Sequence, residues 1–559
     1  MKKLTAGILI ILELLFICSL SASAADLPGT VQPGQIEQQF KRKPEILPKR
    51  PDRVIIPEAD QTVPSNAQDI VFNLKRLVIE GSTVYSEKNL IPDYKNYLNR
   101  EVSLADIYQI ASTLTARYRN DGYILSKIVV PAQSIEDGQV RLKVIEGYIA
   151  DIIVEGADKD QRKLVQDYEE KIRKCRPVKI KVIERYLLLM NDLPGAIARA
   201  VIKPSQKEQG ASEMIVQFDQ SKVQTGLSLD NRGGESLGHM RISADIGLNS
   251  MLGLQEKTML RFVSSGNKKL NFGSISHEEN IGTEGGKFNL SLSAVKSKPK
   301  DMEFIPLDLE TSSQSGALTY IHPLIRNRTE NLYLRGSFTL HNGKTKIFGV
   351  TDTRDRIRAV RLGATFDLAD AWGVNLLDIE VSQGIDGLGS SNNNDMMLSR
   401  PEGRVDFTKM TAYAARVQSL VPRWSFLVAA NAQYACTDLL SSELYSFGGE
   451  QIGRGYDPSE LVGDNGFGVK LELRYTGIIP RLRSFSYTGY AFYDAGRVYQ
   501  RSPNGLSHSE SAASAGLGLR MKLWRNISCY AELAKPLTHE VSAKENREAR
   551  GYAGIYMNF

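Results

Sequence analysis

Residues 240–249 read MRISADIGLN, a stretch in which apolar and polar positions alternate. Successive side chains of an extended strand point to opposite faces, so this alternation predicts a strand with two unlike faces. The apolar face carries Met240, Ile242, Ala244, Ile246 and Leu248, and the other face carries Arg241, Ser243, Asp245, Gly247 and Asn249. A strand that is apolar outside and polar inside is typical of a transmembrane β-barrel.

Alternation of this kind recurs over residues 221–559. The further runs are 223–230, 288–294, 360–368, 376–383, 426–434, 469–475, 487–493 and 515–523, separated by segments rich in Gly, Ser, Asn and Asp. At roughly 20 residues per strand and connection, this length predicts about 16 strands around a polar lumen. A soluble β-sandwich also alternates, but a segment this long behind an export leader favours a mainly β, outer-membrane barrel.

The last strand has its own signature. Ala553, Ile555, Met557 and Phe559 form one apolar face that ends in an aromatic residue. We expect the barrel assembly machinery to read Ile555, Met557 and Phe559 during insertion, and outer-membrane lipid to surround the finished barrel.

The first 24 residues predict a signal peptide. Lys2 and Lys3 precede an apolar stretch over residues 4–20, and residues 22–24 read ASA, the small residues that signal peptidase requires. A membrane anchor is the alternative, but the stretch is short and Glu13 interrupts it. Lipoprotein processing at Cys18 is disfavoured because the preceding residue, Ile17, is not small. We expect export to the periplasm and a mature chain that starts near residue 25.

Composition excludes several classes of protein. After the leader no apolar run reaches the roughly 18 to 20 residues of a membrane-spanning helix. The net charge of +6, from 70 basic and 64 acidic residues, does not indicate a nucleic acid partner. The chain has six His without a cluster, and Cys175, Cys436 and Cys529 lie far apart, so we expect isolated thiols, no metal and no cofactor.

Residues 25–66 predict a short helix and a linker. Ile36 and Phe40 lie four positions apart within Gln35–Lys43, which suits an amphipathic helix. Five prolines at positions 44, 48, 51, 57 and 64 then forbid regular structure. A plug helix on a mobile tether and a leader without a role both fit this composition.

Residues 67–147 predict a small α+β module. We expect a strand over Phe72–Ile79, a helix with an apolar stripe from Leu104 to Tyr118 behind the N-cap Ser103, and strands over Tyr123–Val130 and Gln139–Glu146.

Residues 148–220 repeat this plan, because residues 153–156 (IVEG) echo residues 78–81 (VIEG) at an offset of 75 residues. Exposed sheet edges on such modules can accept an extended peptide by strand addition. A pure spacer is the alternative function for both modules.

With these features the chain resembles the outer-membrane translocators of two-partner secretion, the family of the haemolysin and filamentous haemagglutinin transporters. The resemblance covers nearly the whole mature chain and implies that both modules are POTRA domains. Outside the most specific block it is carried by Asp121-Gly122-Tyr123, Pro131-Ala132-Gln133, Asp137-Gly138, Val144-Ile145-Glu146-Gly147, Asp230-Asn231-Arg232-Gly233 and Leu252-Gly253-Leu254.

The most specific block lies near the C-terminal end of the barrel segment. It comprises Phe447-Gly448-Gly449, Arg454-Gly455-Tyr456, Gly463-Asp464, Glu472-Leu473-Arg474 and Tyr493-Asp494-Ala495-Gly496. The resemblance implies a loop folded into the lumen, with Arg454, Gly455 and Tyr456 at its tip and Asp494 on the wall as the partner of Arg454. An unpaired buried charge costs several kcal/mol, and glycine permits a tight turn, so the pairing makes physical sense. The family commonly has Val where this chain has Gly453, which predicts a more flexible tip.

The implied function is export of a large exoprotein with an N-terminal secretion domain. A barrel assembly factor of the same superfamily and a passive porin are the alternatives, although the former usually has more POTRA repeats and the latter has none. We expect no enzymatic activity and no catalytic residues: the G-x-S-x-G match at residues 234–238 lacks the helix of a nucleophile elbow.

Overall fold

The computed structural model describes residues 27–40, 63–156, 159–266, 269–300, 302, 304–479, 485–501 and 508–559. The expected signal peptide and most of the proline-rich linker lie outside these ranges. The described part of the expected N-terminal helix is shorter than predicted and ends at Gln38.

The described residues form five α-helices. They are α1 (Pro33–Gln38), α2 (Glu87–Leu90), α3 (Leu104–Asn120), α4 (Lys159–Lys174) and α5 (Ile180–Asn191). Short 3₁₀ turns cover Gly29–Val31, Ile91–Asp93, Lys95–Tyr97, Ile305–Leu307 and Ser441–Glu443. None of the helices in the described ranges combines the length and the apolar character that crossing a membrane requires.

Eight strands precede the barrel. They are β1 (Val71–Leu74), β2 (Arg76–Glu80), β3 (Arg100–Ser103), β4 (Lys127–Val129), β5 (Gln139–Ile145), β6 (Tyr148–Glu155), β7 (Ala196–Pro204) and β8 (Ala211–Gln220).

The barrel strands follow. They are β9 (Val223–Asp230), β10 (Arg241–Asn249), β11 (Lys257–Ser265), β12 (Leu270–Ile281), β13 (Gly286–Ser297), β14 (Glu310–Arg326), β15 (Glu330–Ile347), β16 (Val350–Ala369), β17 (Gly373–Gly384), β18 (Thr408–Val421), β19 (Trp424–Ala435), β22 (Asn465–Ile478), β23 (Ser486–Gln500), β24 (His508–Lys522), β25 (Ile527–Pro536) and β26 (Arg550–Asn558). A small hairpin of β20 (Tyr445–Phe447) and β21 (Leu461–Gly463) lies between β19 and β22.

The first module, residues 67–147, packs α3 against two small sheets. Strands β2 and β5 are parallel, β4 pairs antiparallel to β5, and β1 pairs with β3. Helix α3 begins with the predicted N-cap, because Ser103 and Asp106 form a capping box. Its apolar stripe enters a core that includes Ile107, Leu114 and Tyr118.

Two strand predictions in this module are wrong. The expected strand Phe72–Ile79 is divided at Lys75, because the backbone N–H groups of Lys75 and Arg76 both donate to the carbonyl of Gly138 and turn the chain from one sheet to the other. The expected strand from Tyr123 is reduced to Lys127–Val129, since the N–H of Tyr123 continues the end of α3 by bonding the carbonyl of Tyr118.

The second module, residues 148–220, repeats the plan with two helices over one sheet in the order β6-β8-β7. Strands β6 and β8 are parallel, and β7 is antiparallel to β8. Helices α4 and α5 cover the sheet, and Tyr168, Ile183 and Met214 are among the buried core residues. The echo at a 75-residue offset thus corresponds to β2 and β6, the first parallel strand of each module.

Within the described residues, sixteen antiparallel strands close into a barrel, and β26 pairs with β9 at the seam. The predicted faces are confirmed in β9 and β10, where Leu227, Leu229 and Ile242 are exposed on the outer surface. Strand β9 starts beside the second module, so we call that end of the barrel the module end and the opposite end the far end. Asp230 and Arg241, which pair across β9 and β10, lie at the far end.

Among the described residues, two segments of the chain lie inside the lumen. One is α1, whose residues Gln35, Ile36 and Glu37 are fully buried. The other is residues 436–464, which we call the inward loop; it leaves β19 at the far end, carries the β20–β21 hairpin and returns to β22. Both segments lie against the polar inner wall. The candidate functional residues are therefore those at the contacts of α1 and the inward loop with this wall.

Candidate functional site within the barrel lumen

Arg454 lies at the tip of the inward loop and is 1% exposed. Its Nε and Nη2 donate to the two carboxylate oxygens of Asp494 on β23, at 2.8 and 2.6 Å. The backbone N–H groups of Gly453 and Arg454 also donate to Asp494, both at 3.0 Å. The structure therefore brings together the two residues that the resemblance pairs. The geometry is bidentate, which makes this contact both strong and directional.

Arg454 has a second carboxylate partner, Glu472 on β22, which accepts from its Nη1. Glu472 is fully buried and also accepts from Arg474 at 2.6 Å and from Arg520 at 3.0 Å. The guanidinium of Arg454 lies 3.7 Å from the ring centroid of Phe492, a cation–π distance. The loop tip is thus held by a network of several ion pairs and not by one pair alone.

Sequence reasoning placed Glu472 in a motif but gave it no role. Strand alternation contained the missing signal, because Lys470 pairs with Asp494 in the register and Glu472 pairs with Phe492. Residues paired in this way share a face of the sheet, so Glu472 had to point into the lumen with Asp494.

Gly455 and Gly453 have roles different from those expected. A Cβ at Gly455 would lie 2.8 Å from the Cβ of Ser514 and 3.0 Å from the backbone N of Pro536, so close approach to the wall requires this glycine. Gly453 has the positive φ of the tight turn, +90°, and a Cβ there would meet the ring of Phe447 at 2.7 Å. The glycine in place of Val therefore fits a packed left-handed turn. The flexibility of the tip stays a prediction, to which this packing adds a contact with Phe447.

Tyr456 completes the tip. It is 1% exposed, and its hydroxyl donates to the carbonyl of Ala513 on β24 at 2.8 Å. The N–H of His539 donates to the same hydroxyl at 3.3 Å. Tyr456 therefore attaches the loop to a second part of the wall, beyond the strands that hold Arg454.

Helix α1 contacts the wall through Glu37. The carboxylate of Glu37 accepts hydrogen bonds from Ser293, Ser313 and Ser315, each at 2.8 Å, and lies 3.4 Å from Nδ1 of His341. All four partners belong to β13, β14 and β15. A buried carboxylate satisfied by hydroxyl groups is stable in place, yet each of these bonds can be exchanged for water.

The same helix also contacts the inward loop. Gln35 donates to the carbonyls of Ser441 and Leu444, at 2.7 and 3.3 Å, and Gln38 donates to the carbonyl of Ser442 at 2.5 Å. A Cβ on Gly34 would meet Cα of Ser442 at 2.5 Å, so the helix lies directly on the loop. Helix and loop thus close the lumen as one packed unit.

A cavity lies on the module side of this plug. It has a volume of about 630 Å³ and is lined by Tyr333, Arg335, Asp378 and Glu380 on the wall and by Asp192 at the end of α5. Arg335 pairs with Asp378 at 2.5 Å and with Glu380 at 3.1 Å. This polar vestibule connects the second module with the lumen.

The second module is joined to the barrel by ion pairs. Arg326, at the end of β14, donates to both carboxylate oxygens of Asp192 at 2.7 and 2.8 Å. Glu284, in the β12–β13 turn, lies 3.2 Å from Lys171 and 3.1 Å from Arg185. Partial burial opposes ionisation of Glu284, but hydrogen bonds from Arg185 and Lys171 outweigh it and lower the pKa of this carboxyl below its usual 4.5. The junction is therefore electrostatic and charge-complementary.

The C-terminal signature residues lie at the seam. Ile555 pairs with Leu229 and Met557 with Leu227, while the backbone of Phe559 exchanges hydrogen bonds with Thr225 at 2.8 and 2.9 Å. The seam register has five residue pairs, from Gly554↔Asp230 to Asn558↔Gly226.

Other chemistry is sparse in the ranges that the structure describes. No group of three or more His, Cys, Asp or Glu residues there is placed to hold a metal ion. Cys175, Cys436 and Cys529 are free thiols; Cys436 is exposed, whereas the other two are partly buried as expected.

Two family models match the chain. The model described as haemolysin secretion/activation protein ShlB/FhaC/HecB matches residues 210–521. The model described as POTRA domain, ShlB-type, matches residues 72–147, within the first module.

The chain is also similar to individual transporters. It is 23% identical over 552 residues to the heme/hemopexin transporter protein HuxB of Haemophilus influenzae, covering 95% of both chains. It is 21% identical over 491 residues to the outer membrane transporter CdiB of Dickeya dadantii, covering 85% of this chain and 86% of the relative. Its fold matches the solved structure of CdiB from Escherichia coli with a TM-score of 0.71 and 18% identity, over 90% of this chain and 93% of that one.

Proposed function

Because this chain belongs to the haemolysin secretion/activation family ShlB/FhaC/HecB, we propose that it binds an unfolded exoprotein through its periplasmic POTRA domains and passes it through the barrel. It is an outer-membrane transporter of the two-partner secretion type, with a barrel in the membrane and POTRA domains in the periplasm. The exoprotein is a large secreted protein with an N-terminal secretion domain.

One observation carries this proposal: the lumen is closed by segments that polar contacts hold. Helix α1 is fastened by hydroxyl and amide groups, and the loop tip by charges on the wall. The hydroxyl and amide contacts of α1 can be replaced by water or by the backbone of a passing chain, whereas the buried charges keep the loop tip in place. A passive porin would keep its lumen open, so the filled lumen favours a gated protein channel.

The exoprotein docks first on exposed strand edges. In the first module β2 and β4 are the outer strands of the sheet, and in the second module β6 and β7 are. An outer strand offers unpaired N–H and C=O groups, so an extended segment of the secretion domain can add to it. The vestibule beside Asp192 and Arg335 receives the chain next.

Movement through the barrel follows the exit of α1 from the lumen. The exoprotein then threads past the inner wall while the inward loop stays anchored by Arg454. Folding at the cell surface supplies a free-energy bias in the outward direction, because a folded segment cannot re-enter.

We assign this mechanism to five segments. They are a signal peptide over 1–24, the plug helix and linker over 25–66, the first POTRA domain over 67–147, the second over 148–220 and the barrel over 221–559. The barrel assembly machinery inserts the barrel and reads Ile555, Met557 and Phe559, and outer-membrane lipid surrounds it.

Deletion of residues 67–147 tests the division of labour. We expect the barrel to insert but secretion of the exoprotein to be abolished, because docking and pore formation belong to different segments. The measurement is exoprotein in the medium, normalised to heat-modifiable barrel in outer-membrane fractions. A matched control replaces the segment with a POTRA domain from an unrelated transporter, which restores spacing without recognition. Secretion at the normal level from either variant would reduce the first module to a spacer.

A further inference from the structure

The outer face of the barrel changes abruptly from apolar to basic on one hairpin. On β15 the outward residues Leu332 to Leu340 are apolar or small, and on β16 those from Val360 to Leu368 are apolar. Toward the cell surface the same face continues past Asn342 and the buried Arg358, which donates to the carbonyls of His341 and Leu388. It then carries Lys344 and Lys346 on β15 and Arg354 and Arg356 on β16. We call Lys344, Lys346, Arg354 and Arg356 the basic ladder.

Strand register places the ladder on the outside. Lys344 pairs with Arg354, two rungs beyond the pair Leu340↔Arg358. The intervening residues Gly343, Thr345 and Thr353 face inward, where they line a small cavity beside Pro33 of the plug, and Lys344 borders the same cavity. Because alternate residues of a strand point to opposite faces, the ladder shares its face with the lipid-facing side chains.

The ladder lies just beyond the apolar belt. All three Trp of the chain, Trp372, Trp424 and Trp524, are exposed at the module end, which marks the periplasmic boundary of the membrane. From Val360 to Ala369, β16 has the ten residues that a tilted strand needs to cross the bilayer core. Arg356 and Arg354 therefore reach the headgroup region of the outer leaflet.

The ladder has unused binding capacity. Among the described residues no carboxylate lies within 4.0 Å of any of its four side chains, and the buried Nε of Arg356 has no hydrogen-bond partner. Two carboxylates lie beside the ladder: Asp352 near the hairpin tip and Glu310, which pairs with Lys346 in the strand register. Nearby, Glu310 is already paired with Lys296 and Lys298, at 2.8 and 3.0 Å.

We propose that the basic ladder on the outer face of the β15–β16 hairpin binds the phosphate groups of outer-leaflet glycolipid. Basic side chains beside a membrane attract anionic headgroups, and guanidinium groups bind phosphate in a bidentate manner. Phosphate can pair with the exposed guanidinium of Arg354 and relieves the repulsion between Lys344 and Arg354. The inward face of the same hairpin contacts the plug, so bound lipid also stiffens the wall on which the plug rests.

The test compares two charge-matched variants in detergent. The ladder variant is Lys344→Gln with Arg354→Gln. The control variant is Arg497→Gln with Lys535→Gln, which removes two outward charges from the cell-surface side of β23 and β25. The probes are diphosphorylated lipid A and the same lipid after removal of both phosphates, with binding followed by native mass spectrometry and heat-modifiability confirming a folded barrel.

We expect the wild type and the control variant to bind diphosphorylated lipid A alike, and the ladder variant to bind it about 10- to 30-fold more weakly. Dephosphorylated lipid should bind all three proteins weakly. Equal affinity of the ladder variant and the wild type, or equal binding of the two lipids, would overturn the proposal. So would a loss of exoprotein secretion with unchanged lipid binding, because the ladder would then serve the secreted chain.

Discussion

At the scale of single residues, Arg454 shows how a buried charge can hold a loop inside a barrel. Its guanidinium has two carboxylate partners, Asp494 and Glu472, and stacks over Phe492. Breaking a buried ion pair by removing one partner typically costs about 3–5 kcal/mol, because the remaining charge is uncompensated. The two sides of this network are unequal, since Arg454 also binds Glu472, whereas no second guanidinium among the described residues binds Asp494.

This difference in partners predicts how strongly substitutions of Arg454 and Asp494 reduce secretion. Arg454→Ala should greatly reduce secretion while the barrel still inserts, because it leaves the buried Asp494 without its guanidinium partner and releases the loop tip, whereas Glu472 keeps Arg474 and Arg520. Asp494→Ala should reduce secretion less, since Glu472 still binds the arginine. The double mutant should be little worse than Arg454→Ala, because the residues share one interaction. The measurements are secreted exoprotein and protease cleavage of the inward loop in intact cells.

Arg497→Ala is the matched control for this series. Arg497 lies three residues from Asp494 on the same strand but is exposed on the outer face. Its loss should leave secretion unchanged. Losses that simply add in the double mutant, or an Arg454→Ala variant that secretes normally, would show that the tip is not anchored in this way.

At the scale of elements, helix α1 depends on Glu37 for its place in the lumen. Three hydroxyl donors and His341 face this carboxylate, and the helix makes further contacts to residues 441–444 of the inward loop. In the Glu37→Ala variant, α1 should leave the lumen more often, because the hydroxyl groups and His341 lose the carboxylate that accepts from them. Planar bilayer recordings should then show a clearly higher open probability than the wild type, whereas Glu37→Gln, which keeps an acceptor, should show an intermediate one. Unchanged conductance in Glu37→Ala would mean that the helix is held by other contacts.

The junction between α4, α5 and the barrel turn should respond to acid. The folded-state pKa of Glu284 is lowered, so its contribution to the junction is present above pH 4.5 and is lost as the pH falls through the lowered value. Glu184 acts in the opposite direction, since burial raises its pKa despite Arg328 nearby. We expect protease cleavage near Ser221 to increase at low pH in the wild type. Glu284→Gln should cleave readily already at pH 7 and lose that part of the pH dependence; an identical pH profile for both proteins would refute the assignment.

At the scale of the whole molecule, sequence predicted the barrel more reliably than the details of the modules. The barrel signal is repeated in every strand, because each must face lipid on one side and water on the other. The strand predicted over Phe72–Ile79 is divided at Lys75 because two backbone N–H groups bind one carbonyl, that of Gly138, in a loop distant in sequence. Such a contact does not change the hydrophobic periodicity of the sequence. The wall motif around Asp494 was found by resemblance, whereas Glu472 required the strand register.

The extent of β15 and β16 was also beyond sequence pattern. The alternating run identified in the sequence covers only residues 360–368 of this hairpin, so the basic ladder lies outside it. The structure shows paired strands of 18 and 20 residues, which extend the hairpin well past the membrane. What the basic ladder can bind depends on its position relative to the bilayer. That position follows from the register of the barrel strands, which the sequence pattern does not give.

The proposed mechanism depends on passage of the exoprotein through the lumen. The direct test is photo-crosslinking with p-benzoylphenylalanine at Tyr333, which lines the vestibule, and at the adjacent Leu334, which faces lipid. The probe is the partner exoprotein fused to a tightly folded C-terminal domain that stalls it during export. We predict crosslinks to the stalled chain from position 333 and none from position 334. Crosslinks from position 334 alone, or none from position 333 while export proceeds, would contradict transport through the barrel.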